Sequence, residues 1–387
     1  MVNAMNRFFD AASAGPLNPG GRQALAAAFD SAWADPQRWY ADARRARLIL
    51  DASRAGIAAA MTMGPTEVAF ASSSALAGHW AVSGALRARP GRVVCSAVEH
   101  SALLAAAETA AGSANVSLVG VDHLGRIDLD TFAHEISQPG VTLACLQVAN
   151  HEVGTRQPLP VATALCQAAG VPLLVDAAMT IGRGSDLMLG VDQASLVLAQ
   201  ANSWGGPAGV AALGVRKGVP WQPPAVLDQR EHHHVPGLPL TPLIAVAARA
   251  LEWTLPRQND DARLAKAALH DLRDLVLADV SGSSWLGDPD NSLPYLGAFS
   301  CLYTDAESLM GGLDTAGFAV SSGSSCVADT RRPSHVLAAM GAASGGNVRV
   351  SLPVGDTTPD IGGFVAALRH TVNEVRHRFG AQDLPGL

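Results

Sequence analysis

Lysine is almost missing from this chain: Lys217 and Lys266 are the only two in 387 residues. Any reaction that needs a side-chain amine has just these positions to draw on. Aromatic residues at 5% and charged residues at 16% are also sparse. With abundant Ala and Gly, that balance suits packed helices and close backbone turns, not a disordered or fibrous chain. The net charge of −7 lacks the basic excess of a surface that grips nucleic acid, so no direct nucleic-acid contact is expected and any such role passes through a partner. No apolar run approaches the length of a membrane span, and residues 1–10 show no apolar core followed by a small-residue cleavage site. A cytoplasmic protein without membrane contact is the resulting expectation. The five cysteines, Cys95, Cys145, Cys166, Cys301 and Cys326, are odd in number and form no CxxC pair, which argues against a disulfide framework. The run His232-His233-His234 has no spaced Cys or carboxylate partner nearby, so it reads as a polar loop and no metal is expected.

What is present is an alternation. Between about residues 67 and 216, short apolar runs at 92–95, 116–121, 142–148, 172–176, 195–198 and 210–215 alternate with helical patterns such as 101–111 and 161–169. This is the signature of crossovers in a doubly wound, mainly parallel α/β layer. A Pro-rich passage, 218–242, breaks the pattern before a long Ala-rich helix near Leu243 that leads into a second at 262–277. The remainder, with strands expected at 295–303, 318–322 and 348–352, reads as a smaller α+β domain.

Several short motifs carry chemistry. Ser72-Ser73-Ser74-Ala75 follows the strand-like 68–70 and opens a helix, where N–H groups and hydroxyls bind phosphate, or where serine merely caps. His100 closes Ser96-Ala97-Val98-Glu99-His100, just past a strand end, where ligands enter an open α/β sheet; imidazole there can stack and move a proton. Asp176 ends its strand, either as a ligand carboxylate or as a cap for the segment that follows. Asn150-His151-Glu152-Val153-Gly154 forms a polar loop. The stretch Ser321-Ser322-Gly323-Ser324-Ser325-Cys326, followed by Arg332-Pro333-Ser334-His335, is too Ser/Gly-rich for a core and suits an exposed, reactive thiolate. Arg349, within Asn347-Val348-Arg349-Val350-Ser351-Leu352, offers a planar fork for a carboxylate.

Taken in order from Phe9-Asp10 to Arg349, these motifs cover nearly the whole chain. They resemble those of the pyridoxal-phosphate (PLP) dependent cysteine desulfurases of the class V aminotransferase family, a group that includes the desulfurases of DNA phosphorothioation. The resemblance implies a fold-type-I PLP transferase: a mainly parallel seven-stranded sheet in a large domain, 15–250, plus a small domain built from 1–14 and 251–387 that carries the cysteine loop. It implies PLP as cofactor, with His100 over the pyridine ring and Asp176 at the ring nitrogen. Asn150 or His151 would reach the ring hydroxyl or the substrate carboxylate. The phosphate would lie against Ser73, Ser74 and Ala75, where the family has Gly-Ala-Thr, with Ser74 as the hydroxyl donor in place of the threonine missing at Ala75; Gln200 and Asn202 are further implied cofactor contacts. Arg349 would hold the substrate carboxylate of L-cysteine. Cys326 would take its sulfur as a persulfide, release L-alanine and pass the sulfur to an acceptor protein.

A homodimer is also implied, with the segment 228–239 reaching the partner's cofactor phosphate, although this chain lacks the family's Gly-rich run and threonine there. Two further departures stand out. Met179 occupies the place of a glutamine that bonds the ring hydroxyl. In Gln200-Ala201-Asn202-Ser203-Trp204-Gly205-Gly206-Pro207 the cofactor lysine's slot holds Ser203. Serine can neither bind the cofactor's aldehyde covalently nor move protons as that lysine does. Ser203 thus reads as an introduced change in an otherwise active desulfurase, since His100, Asp176, Cys326 and Arg349 all remain. The alternatives are a natural lysine-less protein acting as a scaffold, a selenocysteine lyase, or another class V aminotransferase.

Overall fold

The computed structural model describes residues 5–224, 230–323, 334–343, 345–355 and 358–381. Among these residues ten strands form two sheets: β1 Val68–Ala71, β2 Arg92–Ser96, β3 Val116–Val119, β4 Val141–Gln147, β5 Leu173–Asp176, β6 Leu196–Gln200 and β7 Ala211–Val215 in the larger, and β8 Ser283–Leu286, β9 Leu296–Cys301 and β10 Asn347–Ser351 in the smaller. The seven-stranded sheet runs β1-β7-β6-β5-β4-β2-β3. Its pairs from β6 across to β3 are parallel, and β7 pairs antiparallel with both β6 and β1. The architecture is the mainly parallel α/β sheet expected of fold-type-I PLP enzymes.

The strand sequences explain their place. Every residue of β4, VTLACLQ, is buried, as a central strand covered by helices on both faces requires. The four consecutive parallel neighbours β2, β4, β5 and β6 share one further feature: each is apolar through its body and ends on a polar residue, Ser96, Gln147, Asp176 and Gln200. The apolar stretch fixes the strand in the core, and the terminal polar group is delivered to the C-terminal edge of the sheet, where ligands bind in this architecture.

The smaller sheet is antiparallel throughout, in the order β10-β9-β8. It has its own buried cluster, in which Phe9 packs 5.0 Å from Phe364 and 6.1 Å from Phe318, between ring centroids. The chain start joins this body through single bridges, Phe8 to Ala319 and Asp10 to Ser351. Two details differ from the sequence expectation. Residues 318–322 form no strand; their β-pairing is limited to the isolated bridges Phe8–Ala319 and Ser321–Arg349. Conversely, β8, Ser-Ser-Trp-Leu, has only one buried residue and gave no strand signal, because an edge strand needs little apolar content. Among the described residues no helix is long and apolar enough to cross a membrane.

Candidate active site

A cavity of about 190 Å³ opens at the C-terminal edge of the large sheet, closed on its far side by the small sheet and the chain start. Gln147, Asp176 and Gln200 reach it from their strand ends, and His100 and His151 from the loops after β2 and β4. Arg349 reaches it from β10, Ser74 from the helix Ser74–Ala88, and Asn202 from the turn after β6.

His100 is the N-cap of the helix Ser101–Ala111: its Nδ1 accepts from the Ala102 N–H at 3.1 Å. The neutral ring therefore carries its proton on Nε2. The His151 ring lies 4.7 Å from it, centroid to centroid, and both His151 nitrogens are buried with no hydrogen-bond partner among the described residues. Asn150 is fully buried behind this wall. Its Nδ2 donates to Val98 O at 3.0 Å, and its Oδ1 accepts from the N–H groups of Glu152 and Val153. Of the pair that the sequence left open, His151 is the one facing the cavity. Arg349 is held by Asp10 at 2.8 Å, by the Ser13 hydroxyl at 2.6 Å and by His151 O at 3.0 Å, while its buried Nε has no partner among the described residues. A guanidinium fixed this way keeps donors for an incoming carboxylate.

At the other end, Ser74 donates its hydroxyl to Gln200 Oε1. Ser73 does not line the cavity: its hydroxyl caps the helix by accepting from the Leu76 N–H. Ala75 is exposed and lies outside it too. Ser203 is buried, its hydroxyl within reach of the Ile181 and Gln200 carbonyls at 3.1 and 3.0 Å. It borders a smaller cavity that shares Ala12, Met179 and Asn202 with the larger one. The turn closes on Gly205 at φ +76°, where a Cβ would come within 2.9 Å of Asn18, so only glycine fits. Lys217 and Lys266 are exposed and line neither cavity.

Burial sets the charges. Burial raises the Asp176 pKa, opposed by the Ala178 N–H and by His100. Burial also pushes Glu99 up to about 8, with Asp176 adding to it, so Glu99 is largely protonated at neutral pH. His100 and His151 are both lowered, chiefly by burial, and are neutral. The cavity floor thus holds Asp176 as the group best placed to answer a positive charge.

The aminotransferase class-V family model matches residues 23–364. A cysteine desulfurase of Cereibacter sphaeroides is 31% identical over 378 residues, covering 95% of this chain and 96% of that protein. This chain belongs to the class V aminotransferase family. Among solved structures, a NifS-like protein superposes with a TM-score of 0.83 at 22% identity, covering 96% of this chain and 99% of that one. DndA from Streptomyces lividans does so at 0.74 and 22%, covering 88% and 98%. At those identities the likeness is one of fold.

Enzymes of this family work with PLP, and the cavity suits most of that cofactor: a carboxylate at the floor, an imidazole wall with unpartnered nitrogens, and a helix N-terminus with Ser74 at one end. The covalent anchor is the group that does not fit, because Ser203 has no amine. Cys326 lies outside the described residues, but the described residues on either side of it are tied to the site. Ser321 and Gly323 line the cavity, and the Ser321 and Arg349 backbones bond each other. On the far flank, Ser334 donates to Glu152 at 2.5 Å, and the His335 ring bonds Glu99 O at 2.8 Å. Cys95, Cys145, Cys166 and Cys301 are buried. Burial pushes the Cys166 and Cys301 thiols up to about 12, and Cys145 is raised by its hydrogen bond with Cys95 and by burial. Sequence reasoning missed Asp10 and Ser13 behind Arg349, and Gln147 on the floor; the polar ending of an otherwise apolar strand was the available signal for Gln147.

Proposed function

We propose that the cavity is a PLP site of cysteine desulfurase type, built to convert L-cysteine to L-alanine with the sulfur left on Cys326. The observation that carries this reading is the convergence of Asp176, His100, His151 and Arg349 on one cavity, with Ser321 and Gly323 in its lining and Ser334 and His335 bonded to Glu152 and Glu99, the chain neighbours of His151 and His100. When bound, PLP supplies an electron sink for the bonds at the amino acid's α and β carbons. Asp176 keeps the ring nitrogen protonated, and His100 covers the ring face and can hold a proton on Nε2. His151 meets the ring hydroxyl or the substrate carboxylate. Arg349 takes the α-carboxylate, and Ser74, Gln200 and Asn202 bind the phosphate. The Cys326 thiolate attacks the substrate sulfur; an S–S bond forms and the Cβ–S bond breaks. Its electron pair stays on Cβ, which then takes a proton, so alanine leaves and a persulfide remains on the protein. The residues at 15–250 form the PLP-binding domain in this reading, with 1–14 and 251–387 as the domain that carries the loop.

Ser203 leaves this chain catalytically impaired, able to bind PLP only without a covalent bond. Restoring the amine tests the reading. Ser203→Lys with added PLP is expected to give a yellow, lysine-linked protein that releases alanine from cysteine. A second reading, a natural lysine-less scaffold, is favoured by the several departures that accompany Ser203, namely Met179, Ala75 and the altered turn 200–202; it wins if Ser203→Lys neither binds PLP covalently nor forms alanine. Release of selenide or a keto acid in preference to sulfur would point instead to a selenocysteine lyase or another class V aminotransferase.

The acceptor is a protein of unidentified pathway. A destination in DNA phosphorothioation rests on resemblance alone and is tested by which acceptor takes the sulfur. A cytoplasmic homodimer completes the proposal. Phe29, Trp33, Trp39, Tyr40 and Leu48 are exposed across the helices Pro19–Ser31 and Ala41–Ala60 and the turn between them, an apolar face of the kind a partner covers. The segment expected to reach the partner is pinned at Glu231, which bonds Arg54 at 2.7 and 2.9 Å.

A further inference from the structure

Gln147 is a buried amide, 2% exposed, on a strand end whose neighbour carries Asp176: the two residues are register partners across β4 and β5. Both line the cavity floor. Its backbone N–H is taken by Glu99 Oε1 at 2.8 Å. Its side-chain Nε2 donates to Val98 O at 2.6 Å, a bond that decides which way the amide faces, since the oxygen could not approach that carbonyl. An amide has two N–H donors and one acceptor oxygen. One N–H is thus committed, and among the described residues no partner takes the other or donates to Oε1. A buried polar group with unspent capacity, opening onto a ligand cavity, is costly unless the ligand completes it.

Met179 cannot supply an amide contact in its place. Met179 presents a thioether there, and its backbone carbonyl already accepts from the Tyr295 hydroxyl at 2.6 Å. A pyridine ring with its nitrogen at Asp176 would carry its hydroxyl two carbons away on the same floor, where Gln147 stands as the register partner of Asp176. Resting on the cofactor reading above, we propose that Gln147 is a positioning residue for PLP: its free N–H donates to the ring's phenolic oxygen, supplying from β4 the amide contact that Met179 cannot make. Donation to that oxygen favours its ionised form and fixes the ring's rotation over Asp176.

The test is PLP binding to the unmodified chain, to Gln147→Met and to Gln147→Asn, with a pH titration of the bound cofactor's absorbance. Gln147→Met is expected to bind PLP about 2- to 10-fold more weakly and to move the pH at which the bound chromophore changes to a higher value, with Gln147→Asn in between. Adding Met179→Gln to Gln147→Met should recover both properties, which a merely structural role for Gln147 would not produce. If Gln147→Met does not fold, Gln147→Asn and its Met179→Gln double variant carry the same comparison. Unchanged affinity and an unchanged titration in a folded variant would overturn this inference alone. Failure of the unmodified chain to bind PLP at all would overturn the cofactor reading, and this inference with it.

Discussion

Glu99 offers a sharp electrostatic test because it is fully buried beside the proposed cofactor floor. Its Oε1 accepts from the Gln147 N–H, its Oε2 has no partner among the described residues, and burial with the nearby Asp176 carries its pKa from 4.5 up to about 8. The folded state therefore holds a proton that the unfolded chain releases near 4.5. Since the folded value is the higher one, the stabilisation is complete below the unfolded pKa and is lost as pH rises towards about 8. The slope across that window approaches about 1.4 kcal/mol per pH unit, so after local relaxation a total of about 2–5 kcal/mol is expected. Glu99→Gln keeps the acceptor for Gln147 and removes the titration. Guanidinium unfolding midpoints at about pH 5 and about pH 8 should fall steeply with pH for the parent and much less for the variant. His100, His151 and Glu152 titrate in both proteins, so the difference between the two reports Glu99 together with its coupling to Asp176. Identical pH dependence in parent and variant would refute the claim that Glu99 is held protonated, and with it the view of Asp176 as the floor's principal charge.

Two other outcomes follow from the same geometry. In the Ser203→Lys background, Arg349→Leu should lower kcat/KM for cysteine by ~10- to 100-fold, the loss of a charge-assisted hydrogen bond, read as alanine formation; a change below twofold would remove Arg349 from substrate binding. Light scattering at micromolar concentration should give the mass of two subunits, and a single-subunit mass would contradict the dimer.

The central strands were legible because burial on both faces leaves an unbroken apolar run, as in β4 and β6. β8 was not, since an edge strand with a single buried residue carries no pattern, and residues 318–322 looked like a strand although their partners are single residues distant in sequence. At the site, motif order pointed to Asp176, His100 and Arg349, all of which share the cavity. It could not separate Asn150 from His151, because that depends on which side chain the turn consumes: Asn150 spends its oxygen on the Glu152 and Val153 N–H groups. The missing threonine at Ala75 pointed to Ser74 as the hydroxyl donor, and of the two serines it is Ser74 that lines the cavity while the Ser73 hydroxyl caps the helix. Asp10 and Ser13 reach Arg349 across more than 330 positions of chain, a contact that no local motif encodes.

The central claim is that sulfur from L-cysteine comes to rest on Cys326. Its most direct measurement is peptide mass spectrometry of the Ser203→Lys protein after treatment with PLP and L-cysteine, alongside the same protein carrying Cys326→Ser. The account predicts a persulfide on the Cys326 peptide and none in the Cys326→Ser protein, with Cys95, Cys145, Cys166 and Cys301 unmodified in both. A persulfide that persists on another thiol when Cys326 is serine would contradict it.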